Sequence, residues 1–247
     1  MKKIKTYLYL FFLILPWYSN THSMNLRIGT IFDNAPFEII TNKESGQFIG
    51  FDIALMEEIC KRLKATCTFK GVYFDELFKL VENGEVDLAI AAIIITPERR
   101  EQFLFSLPYK ESHVQYITHH NAPFQDVEDL KNQKIGIYLN SPTEDLVVQQ
   151  FGNTVQLQTF RTSAQMFDAL SAQKVDAIIT NPPQAIYWMS NDSGVYRLLG
   201  EVYPIGEGYG IMTQLGRDDL IAQINNVLND MEKDGTYLSI YNSFFSE

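Results

Sequence analysis

One structural unit occurs twice in the chain, and this duplication constrains the fold more than any other sequence feature. In each copy an amphipathic helix is followed by a short turn, a Val-Asp pair and an apolar stretch that ends at a proline-started helix. Helices that alternate with buried strands predict an α/β fold with largely parallel sheets. Two copies predict two lobes, each with its own sheet. The copies are residues 77–87 with strand 88–95 and Pro97, and residues 166–176 with strand 177–180 and Pro182.

The two proline-started helices are expected to face one cleft, because ligands bind beyond the carboxyl ends of strands in open α/β sheets. The chain is expected to cross between the lobes at residues 108–114 and 204–210, which together form a two-strand hinge. We therefore predict lobe 1 from residues 24–111 plus 208–247, and lobe 2 from residues 112–207.

The N-terminus has the three-part layout of a secretory signal. Lysines open the chain, an apolar run occupies residues 7–17, and small residues permit cleavage near Ser23. The apolar run is too short to span a bilayer permanently, although a retained membrane anchor is the alternative. We predict a signal peptide over residues 1–23 and export to the periplasm.

Charge and motif content argue against several classes of function. Removal of residues 1–23 leaves 17 basic and 30 acidic residues, a net charge of −13, which disfavours nucleic acid as a partner. No nucleophile elbow, P-loop, dinucleotide fingerprint or zinc-spaced cluster occurs, and His119 and His120 would point to opposite faces of a strand. We predict a monomeric binding protein with no catalytic residues, cofactor or metal.

Cys60 and Cys67 are the two cysteines of the chain. An even number of cysteines in an exported protein favours a disulfide. Two free thiols remain the alternative.

Arg99 is the strongest candidate for ligand binding. It lies in the first turn of a helix that Thr96 caps and Pro97 opens, where the helix dipole disfavours a cation. A cation beside exposed backbone N–H groups makes a good carboxylate site. A solvated arginine next to Arg100 is the alternative.

Other candidates have equally simple structural explanations. Phe51 and Phe74 open helices near strand ends and could form walls around a ligand, or pack in the core. Asn34 could contact a ligand or cap a turn. Residues 134–143 form a strand and a polar turn whose N–H groups and Thr143 hydroxyl resemble an anion nest, with helix capping as the alternative.

Several segments together resemble a known family, the polar amino-acid solute-binding proteins of ABC importers. Within this family the chain is most similar to the arginine- and lysine/arginine/ornithine/histidine-binding members. The resemblance covers essentially the whole mature chain and implies the two-lobed periplasmic binding protein type II fold. Its most specific part, residues 60–69, is similar to the disulfide segment of the basic amino-acid binders. The remaining segments are residues 26–30, 36–38, 50–53, 95–99 and 234–237.

The resemblance also implies roles for individual residues. Arg99 matches the arginine that clamps the ligand's α-carboxylate, and Phe74 matches an aromatic wall. Ala92 and Ile94 match positions that meet the ligand through backbone and small polar groups. The ligand loop of the second lobe matches Tyr138, Pro142 and Thr143.

This chain departs from the family pattern at the positions that bind the positively charged groups of the ligand. At the position where the family usually has an aspartate that binds the α-ammonium, this chain has Asn181. At the position of a serine or threonine that often helps to bind that ammonium, it has Ile94. Ile31 occupies the position of an aspartate that binds basic side chains in some members. Asn34 occupies the position of an aromatic residue that often faces Phe74. The implied carboxylate clamp is therefore complete, whereas the ammonium and side-chain contacts differ.

These features predict a periplasmic solute-binding protein that captures a polar amino acid, with basic ones included, and delivers it to an ABC permease in the inner membrane. Two alternatives remain. One is a periplasmic enzyme of the prephenate or arogenate dehydratase kind on the same fold. The other is a sensor that reports its ligand to a membrane receptor.

Overall fold

The computed structural model describes residues 24–42, 44–192 and 194–245, so the predicted signal peptide lies outside the described residues. Within these ranges no helix is long and apolar enough to cross a membrane.

Strands and helices alternate along most of the chain. The strands are β1 Met24–Ile31, β2 Asp33–Asn34, β3 Glu38–Asn42, β4 Gln47–Ile49, β5 Ala65–Val72, β6 Leu88–Ala89, β7 Phe103–Phe105, β8 His113–His119, β9 Lys134–Tyr138, β10 Gln156–Phe160, β11 Ala177–Thr180, β12 Tyr196–Pro204 and β13 Met212–Gln214. The α-helices are α1 Phe51–Arg62, α2 Phe74–Glu82, α3 Pro97–Arg100, α4 Thr143–Phe151, α5 Ser163–Ser171, α6 Pro182–Asn191, α7 Asp218–Lys233 and α8 Thr236–Phe245.

Two five-stranded sheets organise these elements, as the duplicated unit predicts. Their strand orders are β5-β1-β6-β13-β7 and β10-β9-β11-β8-β12. Each sheet has three parallel strands, and two further strands join it through antiparallel pairings: β13 on β6 and β7 on β13 in the first sheet, and β8 on β11 and β12 on β8 in the second. We call the part built on the first sheet lobe 1 and the part built on the second sheet lobe 2. The α/β class and the two-lobed architecture are confirmed, and β2, β3 and β4 form an additional small sheet.

The chain leaves the first sheet after β7 and returns to it before β13, and these two connections run side by side. The N–H of Tyr109 donates to the carbonyl of Tyr209 at 2.9 Å, and the N–H of Tyr209 donates to the carbonyl of Lys110 at 2.8 Å. The paired connections lie where the two crossings were predicted. The residue limits of the lobes stay a prediction.

The Val-Asp pair of each repeated unit has the same structural role. The carboxylate of Asp87 accepts a hydrogen bond from the backbone N–H of Arg27 at 2.9 Å. The carboxylate of Asp176 accepts one from the backbone N–H of Lys134 at 2.8 Å. In each lobe the aspartate thus joins the turn after a helix to the backbone of a neighbouring parallel strand, β1 in lobe 1 and β9 in lobe 2.

Both proline-started helices begin with the predicted side-chain caps. In α3 the hydroxyl of Thr96 accepts from the backbone N–H of Arg99 at 3.3 Å. In α6 the amide oxygen of Asn181 accepts from the backbone N–H of Gln184 at 2.9 Å. Such caps satisfy backbone donors that a helix start leaves free. The two helix starts are therefore fixed in position at the cleft.

Cys60 and Cys67 form a disulfide, as predicted. The bond joins the last turn of α1 to the third residue of β5, the edge strand of the first sheet. The chain reverses between them through Lys64, which has a φ of 55°. The disulfide therefore closes a tight helix-to-strand connection in lobe 1.

Candidate functional site

A cavity lies between the two lobes, beyond the carboxyl ends of the central strands. It holds about 530 Å³ of space, including the part that is open to solvent. Nine of the ten residues predicted to meet a ligand line this cavity, although their contact with a ligand stays a prediction. These nine are Asn34, Phe74, Ala92, Ile94, Arg99, Tyr138, Pro142, Thr143 and Asn181.

Phe51 is the exception, and its prediction as a ligand wall is wrong. Its side chain is 0 % exposed and lies in the core of lobe 1. The ring contacts aromatic rings of α8, with centroid distances of 4.9 Å to Phe245 and 6.1 Å to Tyr241. Because α8 packs over the start of α1, this helix start points its aromatic ring inward. The alternative of core packing is therefore correct for Phe51.

Seven lining residues were not predicted as ligand contacts. Ala91, Ile179 and Thr180 lie at or near the ends of apolar strand segments, so the rule that ligands bind at carboxyl ends could have identified them. Tyr209 comes from one connection between the lobes, and Val114 is the second residue of β8, directly after the other connection. Their position depends on how the two crossings pack, which no local pattern reveals. The seven are Ile31, Ala91, Val114, Ser141, Ile179, Thr180 and Tyr209.

Arg99 spans the cleft at one end of the cavity. Its Nη1 donates to the carbonyl of Ile94 in lobe 1 at 2.7 Å, and its Nη2 donates to the carbonyl of Asn140 in lobe 2 at 3.0 Å. The guanidinium carbon lies 4.7 Å from the ring centroid of Phe78 and 5.6 Å from that of Phe74. These aromatic faces and carbonyls hold the cation in a fixed orientation.

Among the described residues, no carboxylate lies within ion-pair distance of Arg99. Burial lowers the pKa of Arg99 to about 10, so the guanidinium stays charged at neutral pH. A largely buried charge without a counter-ion is unfavourable. A carboxylate is the partner that a guanidinium binds best, through two parallel hydrogen bonds. The arrangement therefore forms an anion site.

A chain of buried amides forms the opposite side of the cavity and also joins the lobes. Gln184 is 0 % exposed, and its Nε2 donates to the Oδ1 of Asn34 at 2.8 Å. The Nδ2 of Asn34 donates in turn to the Oε1 of Glu38 at 2.9 Å. The hydroxyl of Thr180 pairs with the Oε1 of Gln184. The amides of Asn34 and Gln184 are therefore engaged within the protein.

Two carboxyl groups, Glu38 and Asp52, are buried behind this wall. Burial and the neighbouring Asp52 carboxylate raise the pKa of Glu38 well above its usual range. Burial also raises the pKa of Asp52 to about 6. Two adjacent buried carboxyls favour a state in which one of them keeps its proton.

Asp52 accepts from the hydroxyl of Tyr109 at 2.9 Å and from the N–H of Ala92 at 2.7 Å. The second bond anchors Ala92, whose φ of 44° is rare for a residue with a side chain.

Further contacts hold the lobes together beside the cavity. Arg161 of lobe 2 donates to the carboxylate of Asp75 in lobe 1 at 2.9 Å and to that of Glu76 at 3.0 Å. The N–H of Ala164 donates to the carboxylate of Asp33 at 3.1 Å. Burial raises the pKa of Asp33. The lobes are therefore closed on each other around the cavity.

Two sheets that close on one cavity, with a cation directed into it, define a two-lobed ligand-binding protein. The family model for bacterial extracellular solute-binding proteins, family 3, matches residues 26–247. The chain belongs to this family. The resemblance found in the sequence is confirmed.

Known relatives agree with this assignment. The chain is 42 % identical to an arginine 3rd transport system periplasmic binding protein from Legionella pneumophila, with a TM-score of 0.87 over 90 % of this chain and 100 % of that one. It is 34 % identical to an ancestral arginine-binding protein bound to arginine, with a TM-score of 0.81 over 90 % of this chain and 98 % of that one. It is 27 % identical over 234 residues to the putative ABC transporter arginine-binding protein 2 of Escherichia coli strain K12, covering 93 % of this chain and 94 % of that protein.

Proposed function

We propose that the protein captures an amino acid between its lobes in the periplasm and delivers it to the permease of an ABC importer. The observation that carries this proposal is Arg99, a largely buried cation without a carboxylate partner among the described residues, at the wall of the interlobe cavity. The α-carboxylate of an amino acid supplies the missing anion. The names of the relatives support an amino acid as the solute.

The ligand is proposed to favour closure of two lobes, formed by residues 24–111 plus 208–247 and by residues 112–207. A ligand that contacts both lobes stabilises the closed form, because it binds that form more tightly than the open one. The bond from Arg99 to the carbonyl of Asn140 supports this role, since the residue that holds the carboxylate also touches the opposite lobe.

The remaining lining residues are assigned complementary roles. Phe74 covers one face of the ligand, and the backbone around Ala92 and Ile94 offers polar groups from lobe 1. Tyr138, Pro142, Thr143 and Asn181 complete the site from lobe 2.

A binding role is favoured over the dehydratase alternative by the chemistry of the cavity. Loss of a hydroxyl group as water is aided by a general acid within hydrogen-bond reach of the substrate. The described lining residues include no aspartate, glutamate, histidine or lysine. A membrane sensor would need the same ligand site, and the transport names of the relatives favour the importer.

The proposed setting follows from the same features of the chain. The signal peptide is cleaved near Ser23, and the protein acts as a monomer in the periplasm. The net charge of −13 after cleavage disfavours nucleic acid as a partner.

The proposal is tested by calorimetry on the parent protein and an Arg99→Ala variant, after a thermal-shift screen of the common amino acids. A ligand at 100 times its dissociation constant adds about 2.7 kcal/mol of stability, which identifies binders. Arg99→Ala should weaken binding by more than about 2 kcal/mol, or roughly 30-fold, because a charge-assisted pair is lost.

Arg100→Ala is the matched control. Its exposed guanidinium pairs with Glu207 at 2.8 Å, outside the cavity, so this variant should bind like the parent. An Arg99→Ala protein with unchanged affinity would contradict the proposed site.

A further inference from the structure

The cavity contains a single formal charge. Of its sixteen described lining residues, Arg99 alone carries a charged side chain. A bound α-carboxylate neutralises this cation. The α-ammonium is common to all α-amino acids, so a cationic side chain would add a second positive charge to the cavity without a counter-ion.

Three neutral side-chain oxygens of the lining already accept hydrogen bonds from the protein. The Oδ1 of Asn34 accepts from Gln184 at 2.8 Å, and the Oδ1 of Asn181 accepts from the backbone of Gln184 at 2.9 Å. The hydroxyl of Ser141 accepts from that of Thr143 at 3.0 Å. A guanidinium or ammonium group needs acceptors. Each of these oxygens already accepts from the protein, and none carries a negative charge that would offset a cation on the ligand side chain.

The nearest acids do not line the cavity, and each has its own protein donors. Glu38 is covered by Asn34, and its raised pKa favours the protonated form. Asp52 accepts from Ala92, and Asp33 accepts from the first turn of α5. These carboxyls therefore stabilise the walls and leave no anion exposed to the ligand.

Five further side chains of the wall are apolar and buried. The side chains of Ile31, Ala91, Ile94, Val114 and Ile179 are between 1 % and 8 % exposed. In such surroundings an unpaired cation loses its hydration without compensation. Uncharged groups of similar size lose far less.

We propose that the ligand is an amino acid with an uncharged side chain, and that the site discriminates against arginine and lysine. This inference rests on the proposed amino-acid-binding function and narrows it. It separates this chain from relatives that are named for arginine.

Arginine and citrulline provide the direct test, because their side chains have nearly the same shape and differ in charge. Calorimetry on the parent protein should find that citrulline binds at least about tenfold more tightly than arginine. Norleucine should likewise bind more tightly than lysine. Arginine that binds as tightly as citrulline, or more tightly, would overturn the inference.

Two substitutions at Ile31 sharpen the test. Ile31→Asp places a carboxylate in the cavity wall, and Ile31→Asn places an uncharged group of the same shape there. The ratio of arginine to citrulline affinity should be at least about tenfold higher in Ile31→Asp than in Ile31→Asn. If either variant fails to fold, the parent protein with the two ligand pairs still decides the question.

The results separate this inference from the proposed function. If arginine binds best and Arg99→Ala abolishes that binding, the amino-acid site stands and the inference about charge is wrong. If none of the amino acids binds, the proposed function falls and the inference falls with it.

Discussion

The two copies of the repeated unit place different side chains at the same point of the same local structure. Arg99 follows the Thr96 cap by three residues in lobe 1, and Gln184 follows the Asn181 cap by three residues in lobe 2. Arg99 presents a positive charge to the cavity, with no carboxylate partner among the described residues. Gln184 is fully buried and binds Asn34 across the cleft at 2.8 Å.

The comparison separates what the backbone determines from what the side chains determine. The capped, proline-started helices bring both positions to the cleft. The side chain then decides the role: the cation of lobe 1 makes an anion site, and the amide of lobe 2 makes a contact between the lobes. Lobe 1 also contains the disulfide, and the described part of lobe 2 has none.

The disulfide gives the largest expected difference between the lobes. Replacing both cysteines in a Cys60→Ala/Cys67→Ala variant removes a closed loop of eight residues, which should lower the free energy of unfolding of lobe 1 by about 2.5 kcal/mol in the chain-entropy model. Urea unfolding followed by circular dichroism should show the loss. Reduction of the parent protein should reproduce it.

Tryptophan fluorescence shows whether the loss is confined to lobe 1. Trp188 in α6 is the one tryptophan beyond residue 23, so its fluorescence reports on lobe 2. We expect its transition to shift less than the circular dichroism transition. Equal shifts would show that the two lobes unfold as one unit and would contradict the expected difference in stability between them.

Local sequence patterns predict the features that repeat within each lobe. The Val-Asp pairs, the helix caps at Thr96 and Asn181, and the cleft position of Arg99 all follow from residues close together in the chain. Local patterns also proposed four of the lining residues, Asn34, Phe74, Arg99 and Thr143, and the resemblance to the family added Ala92, Ile94, Tyr138, Pro142 and Asn181.

Features that depend on distant packing could not be predicted. Phe51 has the sequence context of a cleft residue, and its burial follows from α8, which comes almost two hundred residues later. Tyr209 and Val114 reach the cavity because the two crossings pair with each other. The bond from Gln184 to Asn34 exists only when the lobes close. Long-range packing therefore decided these cases, whereas Ala91, Ile179 and Thr180 could have been identified from the strand ends.

The caps of the two copies allow a second test, with an intermediate effect on binding. Asn181→Asp keeps a good helix cap but adds a negative charge beside the cavity. A charged hydrogen bond contributes about 1.5–3 kcal/mol and a neutral one about 1 kcal/mol. We therefore expect α-amino acids to bind roughly 5- to 30-fold more tightly, as measured by calorimetry.

A deaminated analogue of the same ligand is the control for Asn181→Asp. It has no ammonium, so the added carboxylate should leave its affinity unchanged or weaken it. Unchanged affinity for every ligand would mean that Asn181 lies away from the ammonium. The lobe 2 cap would then serve the fold alone.

The smallest expected effect concerns the aspartates that begin the central strands, Asp87 and Asp176. Both accept a backbone hydrogen bond, but Asp87 also accepts from the guanidinium of Arg27 at 2.9 Å and lies 3.6 Å from that of Arg217. Among the described residues no ion pair involves Asp176. Because Arg27 is half exposed, solvent weakens its ion pair and the pair should contribute little to stability.

Asp87→Asn should therefore lower the free energy of unfolding by about 0.5–1 kcal/mol more than Asp176→Asn at pH 7, as measured by urea unfolding. The hydrogen bond from Arg27 lowers the pKa of Asp87 below its usual range. A carboxyl whose pKa is lower in the folded state stabilises the fold above its unfolded pKa, and this stabilisation is lost as the pH falls through the folded value. The difference between the two variants should accordingly shrink on acidification toward about pH 3. Equal losses at pH 7 would mean that the arginines add nothing to lobe 1 and that the two copies are energetically equivalent at this position.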